Sequence, residues 1–67
     1  MRVLVNGSEL EIEPGTRVVD LVSRFRFQPK HVAVEINRDL VPRTQFESTV
    51  LNADDQIEIV TLVGGGM

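Results

Sequence analysis

The chain predicts an α+β fold: a mixed sheet of four to five strands covered on one face by a single helix. Three observations predict it. Short apolar segments of period two recur near residues 3–5, 9–13, 32–36 and 57–63. One segment of helical period lies between the second and third of them. The whole chain has 67 residues, enough for one domain and no more. A domain of this size buries only about 60% of the surface its unfolded chain exposes, so its core is thin. A deep substrate pocket would consume that core, which favours a module that works on a partner.

Val3-Leu4-Val5 is a β-type run closed by Asn6-Gly7-Ser8. Asn-Gly between two such runs signals a hairpin, because both residues tolerate positive φ. The next run, Glu9-Leu10-Glu11-Ile12-Glu13, alternates strictly. Leu10 and Ile12 face inward and the three glutamates face water, where they also discourage edge-to-edge pairing. Pro14-Gly15 stops that strand, and Thr16 is the expected helix N-cap. Val18, Leu21, Val22 and Phe25 recur at helical spacing, predicting a helix over residues 17–26. Asp20 lies near its positive end, and Arg24 and Arg26 near its negative end. Phe25 and Phe27 are expected to cap the core, and Pro29 ends any continuation.

Residues 31–37 alternate again, with Val32, Val34 and Ile36 facing in and His31, Ala33 and Glu35 facing out. Asn37-Arg38-Asp39 is a turn, Leu40-Val41 a short strand, and Thr44-Gln45-Phe46 a single helical turn. Val50-Leu51 adds a brief apolar touch. Asn52-Ala53-Asp54-Asp55 forms the next turn, and residues 56–63 the final strand. One helix covers one sheet face, and the simplest closure makes the first and last strands parallel and central. That is a β-grasp, or ubiquitin-like, arrangement. The domain spans residues 1–63, and residues 64–67 form a tail.

Strand parity then places Val3, Val5, Ile57 and Ile59 under the helix. Leu4, Ala33, Val60 and Leu62 fall on the uncovered face, beside the exit of the tail. A contiguous apolar patch there points to a partner-docking surface.

Composition removes several function classes. Hydrophobic residues at 42% and charged residues at 25% are those of a folded protein rather than a disordered one. A net charge of −3 disfavours non-specific nucleic-acid binding. Arg17, Arg24, Arg26 and Lys30 cluster mid-chain. Glu47, Asp54, Asp55 and Glu58 dominate the last third, as either a docking surface for a basic partner or a solvated face. The chain has no cysteine and one histidine, His31, so thiolate chemistry and multi-histidine metal sites are excluded. No apolar run is long enough to span a bilayer. The N-terminal run meets a turn too early for a signal-peptide core, so a cytoplasmic location is expected.

No Ser-His-acid order and no glycine-rich phosphate loop is present. Arg43 could clamp a partner's carboxylate or phosphate, or stand solvated. The distinctive feature is the ending, Val63-Gly64-Gly65-Gly66-Met67. Three glycines hold neither helix nor strand well, and a thread without Cβ atoms can enter a narrow enzyme channel. Read functionally, Gly64, Gly65 and Gly66 form a flexible tail whose carboxylate is the reacting group. Read structurally, they are a frayed end. A carboxylate reacts with nucleophiles once ATP activates it as an acyl-adenylate. A second enzyme must do this, since the chain has nothing that binds ATP, and no cofactor is expected on it.

These residues, taken together, resemble the ThiS-type sulfur carrier proteins of thiamin biosynthesis, end to end. The resemblance rests on Val5-Asn6-Gly7, Glu35-Ile36-Asn37, Leu40-Val41-Pro42-Arg43 with Phe46, and Ile57-Glu58-Ile59-Val60 leading into Val63-Gly64-Gly65-Gly66. It implies a β-grasp fold and no enzymatic activity of the chain itself. It also implies three partner systems. A ThiF-type adenylyltransferase would use ATP to adenylate the C-terminal glycine. A cysteine desulfurase route would supply sulfur for a thiocarboxylate. Thiazole synthase would take that sulfur into the thiazole ring. Gly66 is then the acyl donor once a peptidase removes Met67, with Gly65 the donor if Gly66 is removed as well; a carrier that tolerates the Met67 extension is the alternative. The free chain is expected to be a monomer. The small subunit of molybdopterin synthase is the alternative within the class. A β-grasp interaction module with an inert tail is the alternative outside it.

Overall fold

A computed structural model describes residues 1–62. Five strands, β1 (Arg2–Val5), β2 (Ser8–Glu11), β3 (Val32–Ile36), β4 (Asp39–Val41) and β5 (Gln56–Thr61), form one sheet in the order β2-β1-β5-β3-β4. β1 and β5 are parallel neighbours inside it, and every other pairing is antiparallel. One helix, α1 (Val18–Arg24), lies across one face, with short 3-10 helices at Pro29–His31 and Arg43–Gln45. This is the expected α+β, β-grasp architecture.

The alternation read from the sequence sets which face is covered. Val3, Val5, Val32, Val34, Ile57 and Ile59 point to one side and are buried against Val18, Leu21 and Val22 of α1. Two two-residue hairpins turn the chain. Asn6 and Gly7, at φ 51° and 86°, connect Val5 to its partner Ser8. Asn37 and Arg38, at φ 53° and 75°, connect Ile36 to Asp39. Positive φ at both central residues gives the turn whose twist matches that of the strands.

Three local expectations are corrected. The helix occupies Val18–Arg24 rather than residues 17–26, and its N-cap is Arg17 rather than Thr16. The Thr16 hydroxyl is already engaged, donating to the Glu13 carbonyl at 2.6 Å across the Pro14-Gly15 turn. Arg17 is held extended against the segment after the second 3-10 helix, bridging to Val50. Leu51 N–H donates to Thr16 O at 2.9 Å and Val18 N–H to Thr49 O at 3.0 Å. The helix therefore starts one residue later. The Asp20 carboxylate accepts the Arg17 N–H at 2.9 Å and satisfies one of its orphan donors.

At the other end α1 closes in a Schellman motif: Phe27 N–H donates to Val22 O at 3.1 Å and Arg26 N–H to Ser23 O at 2.9 Å. Arg26 takes the left-handed position, φ 64°, that glycine usually fills. Phe25, at the helix C-cap, and Phe27, beyond the reversal, lie off the core. Both are exposed, and their rings stack with centroids 6.3 Å apart. Phe46 and Leu51, from the irregular segment, fill the core in their stead.

The third correction concerns the acidic last third. Asp55 is buried, and its carboxylate accepts Asn52 N–H at 2.8 Å and the Asn37 amide at 3.0 Å. Asp54 pairs with Arg2, whose guanidinium also meets Glu9. The Asp54 hydrogen bond and then Glu9 hold the Arg2 pKa above its ordinary value. Of Glu47, Asp54, Asp55 and Glu58, Glu58 is the one that lies in a strand, on the uncovered side of β5.

Candidate functional site: the open sheet face

β5 carries the residues that lead to the tail, and two asparagines of the hairpins fix it in place. β1 pairs with β5 only at Leu4↔Gln56 and Val5↔Ile57 before its hairpin turns it away. The side of Ile59 toward β1 would then lack a neighbour. The Asn6 amide takes that place, accepting Ile59 N–H at 2.9 Å and donating to Ile59 O at 3.3 Å. Asn37 does the same at the start of β5, accepting Gln56 N–H at 3.0 Å while donating to Asp55. The sequence showed both residues as turn formers. Their side chains are also the pins that set β5 against its neighbours. At the tail end, Leu62 N–H donates to His31 O at 2.7 Å, extending the β3–β5 pairing past Val32↔Thr61. His31 closes a 3-10 helix rather than heading the strand.

The face opposite α1 presents the residues that strand parity placed there. Ala33 and Val60 are direct cross-strand partners. Val60 and Leu62 are 54% and 56% exposed, well beyond what a core-facing residue shows. A shallow groove beside them is lined by Ala33, Leu40, Pro42, Arg43 and Leu62. The Arg43 guanidinium donates through Nε to Pro29 O at 3.0 Å, which anchors one rim of the groove.

Two features differ from the patch read in the sequence. Leu40, at 64% exposure, belongs to this face, since it is paired with Glu35 across β3–β4. Its parity was readable from the Asn37-Arg38 turn once that turn was known to hold two residues. Leu4 stands apart from the other three. Its partner on β5 is Gln56, four residues or about 13 Å down the strand from Val60. It lines a separate concavity with Gly7, Glu35, Arg38, Gln56 and Glu58. The structure therefore brings Ala33, Val60 and Leu62 together, adds Leu40, and leaves Leu4 beyond a polar strip.

Gly64, Gly65 and Gly66, with Val63 and Met67, lie outside the described residues, as does the boundary placed at residue 63. Among the described residues, no group of three or more His, Asp or Glu side chains is placed to hold a metal ion. No helix among them is long and apolar enough to cross a membrane.

The chain can now be set beside known proteins. A segment of thiazole synthase from Magnetococcus marinus is 41% identical over 66 residues, covering 98% of this chain but only 20% of that protein. The chain thus spans about a fifth of the length of that relative. Sulfur carrier protein ThiS of Bacillus subtilis is 32% identical over 63 residues, 92% of this chain and 96% of that one. The crystal structure of the thiamine biosynthesis protein ThiS from Geobacter metallireducens superimposes with a TM-score of 0.82 at 29% identity. The match covers 98% of this chain and 100% of that one. The ThiS family model matches residues 3–66. With that match over nearly its whole length, a five-stranded sheet under one helix and an apolar open face beside the final strand, the chain belongs to the ThiS family of β-grasp sulfur carrier proteins.

Proposed function

We propose that this chain carries sulfur as a C-terminal thiocarboxylate and delivers it for formation of the thiamin thiazole ring. The observation that carries the reading is the extent of the family match, which runs through Gly64, Gly65 and Gly66 and stops short of Met67. In this reading Gly66 is the acyl donor after hydrolysis of the Gly66–Met67 bond, with Gly65 the donor if trimming goes one residue further. A ThiF-type adenylyltransferase transfers AMP from ATP to the carboxylate, releasing pyrophosphate. A persulfide from a cysteine desulfurase route then attacks the acyl carbon and displaces AMP, and a thiol reductant cleaves the S–S bond of the resulting acyl disulfide to leave the thiocarboxylate. The chain is a co-substrate of these enzymes rather than an enzyme, holds no cofactor of its own, and acts in the cytoplasm.

Geometry supports this division of labour. Gly66 is four residues past Leu62, a reach of at most about 14 Å when extended. An enzyme that grips the face around Val60 and Leu62 therefore has its active centre within that distance. Glycines there pass where a Cβ would clash. The similarity to a segment of a thiazole synthase supports that enzyme as the recipient of the sulfur.

Deletion of residues 65–67 tests the reading. The truncated chain is expected to keep its fold and its partner binding but to support no thiazole formation in a reconstituted system. Undiminished thiazole formation would leave a plain interaction module as the better account.

A further inference from the structure

Glu35 and Glu58 are direct partners across β3–β5, on the open face. Side chains so placed have Cβ atoms about 4.5–5.5 Å apart, and like charges at that spacing oppose folding. The ion pairs among the described residues use the N-terminus, Arg2 and Arg17, and involve neither of these glutamates. Arg38 lines the same concavity without pairing with them. The free chain thus sets two like charges on neighbouring strands, side by side in the middle of its sheet. The next cross-strand pair toward the tail is Ala33–Val60, and Leu40 sits beside Glu35 on β4. The two carboxylates therefore border the exposed apolar strip.

Resting on the carrier reading above, we infer that the open face is a two-point docking surface. Its occupant is an enzyme partner that presents an apolar side chain to Val60 and Leu62 and an arginine or lysine between Glu35 and Glu58. The two contacts are separated by about 7 Å, two residues along a strand. A guanidinium suits the acidic point best, because its fork of donors can serve both carboxylates at once. Binding neutralises the repulsion that the free chain tolerates. Apolar centre and charged border are also the usual division of labour in an interface, with the charges setting association rate and register.

The test uses thiazole synthase purified from the same host as the binding probe. Glu35→Gln and Glu58→Gln, combined, are expected to raise its Kd about tenfold at low salt, with the gap to wild type closing at high salt. The same double variant should unfold a few degrees higher than wild type, because the repulsion is gone. Weaker binding in a more stable protein is a result that a merely structural role cannot give. Glu47→Gln, which removes a charge beside Arg17 at the start of α1 and away from this face, should bind as wild type does. Unchanged Kd in the double variant, or equal weakening by Glu47→Gln, overturns the inference. Wild-type chain that forms a thiocarboxylate yet does not bind the enzyme overturns the inference alone. Wild-type chain that does neither overturns the carrier reading, and this inference with it.

Discussion

Replacing Leu62 with aspartate separates docking from folding. The side chain is 56% exposed, and the residue's structural bond runs from its backbone N–H to His31 O, which any side chain permits. Stability should therefore change by no more than about 0.5 kcal/mol. Fully burying a leucine is worth about 1.5–3 kcal/mol. With 56% of its surface left to cover, Leu62 offers a partner roughly 0.8–1.7 kcal/mol, or about 4- to 17-fold in Kd. Aspartate forfeits that term and adds a desolvated, unpaired carboxylate costing several kcal/mol more. The loss should exceed about 100-fold. The assay is ATP–pyrophosphate exchange by the adenylating enzyme as a function of carrier concentration, beside thermal unfolding of the same sample. Undiminished exchange would refute the docking role of this face. A fall in melting temperature beyond about 4 °C would show instead that Leu62 serves the fold.

Asp55→Ala strands Asn52 N–H and frees Asn37, and should cost about 2–3 kcal/mol, seen as a drop of roughly 10–20 °C in the thermal midpoint. Asn6→Ala leaves both polar groups of Ile59 without their partner. It should cost about 1–2 kcal/mol in denaturant unfolding and speed hydrogen exchange at the Ile59 amide. Arg26→Gly removes a side chain from a left-handed site at the end of α1 and should raise the unfolding free energy from denaturant titration by about 0.5–1 kcal/mol, without affecting partner binding.

The sheet was legible because its signals are local. Asn6-Gly7 announces its own hairpin, and the period of two in residues 32–36 and 57–61 assigns faces without knowledge of the partner strand. The tertiary pairings were not. Thr16 looked like an N-cap until Thr49 and Leu51 paired with the extended segment around it. Phe25 continued the helical spacing, yet the helix ends there and its ring lies at the surface beside Phe27, while Phe46, more than twenty residues on, fills the core. Asp55 read as one more surface acid in an acidic stretch; only its meeting with Asn37 makes it internal. On the open face, parity found Ala33, Val60 and Leu62. It could not say how far along the sheet Leu4 would fall, since that depends on the β1–β5 register. It also missed Leu40, whose face depends on the length of a turn.

The intact mass of the protein isolated from its native host tests the carrier role most directly. The account predicts chains ending at Gly66, a fraction of them heavier by the difference between sulfur and oxygen, with that fraction rising when thiazole synthase is absent. Chains that all retain Met67 and oxygen while thiamin synthesis runs would contradict it.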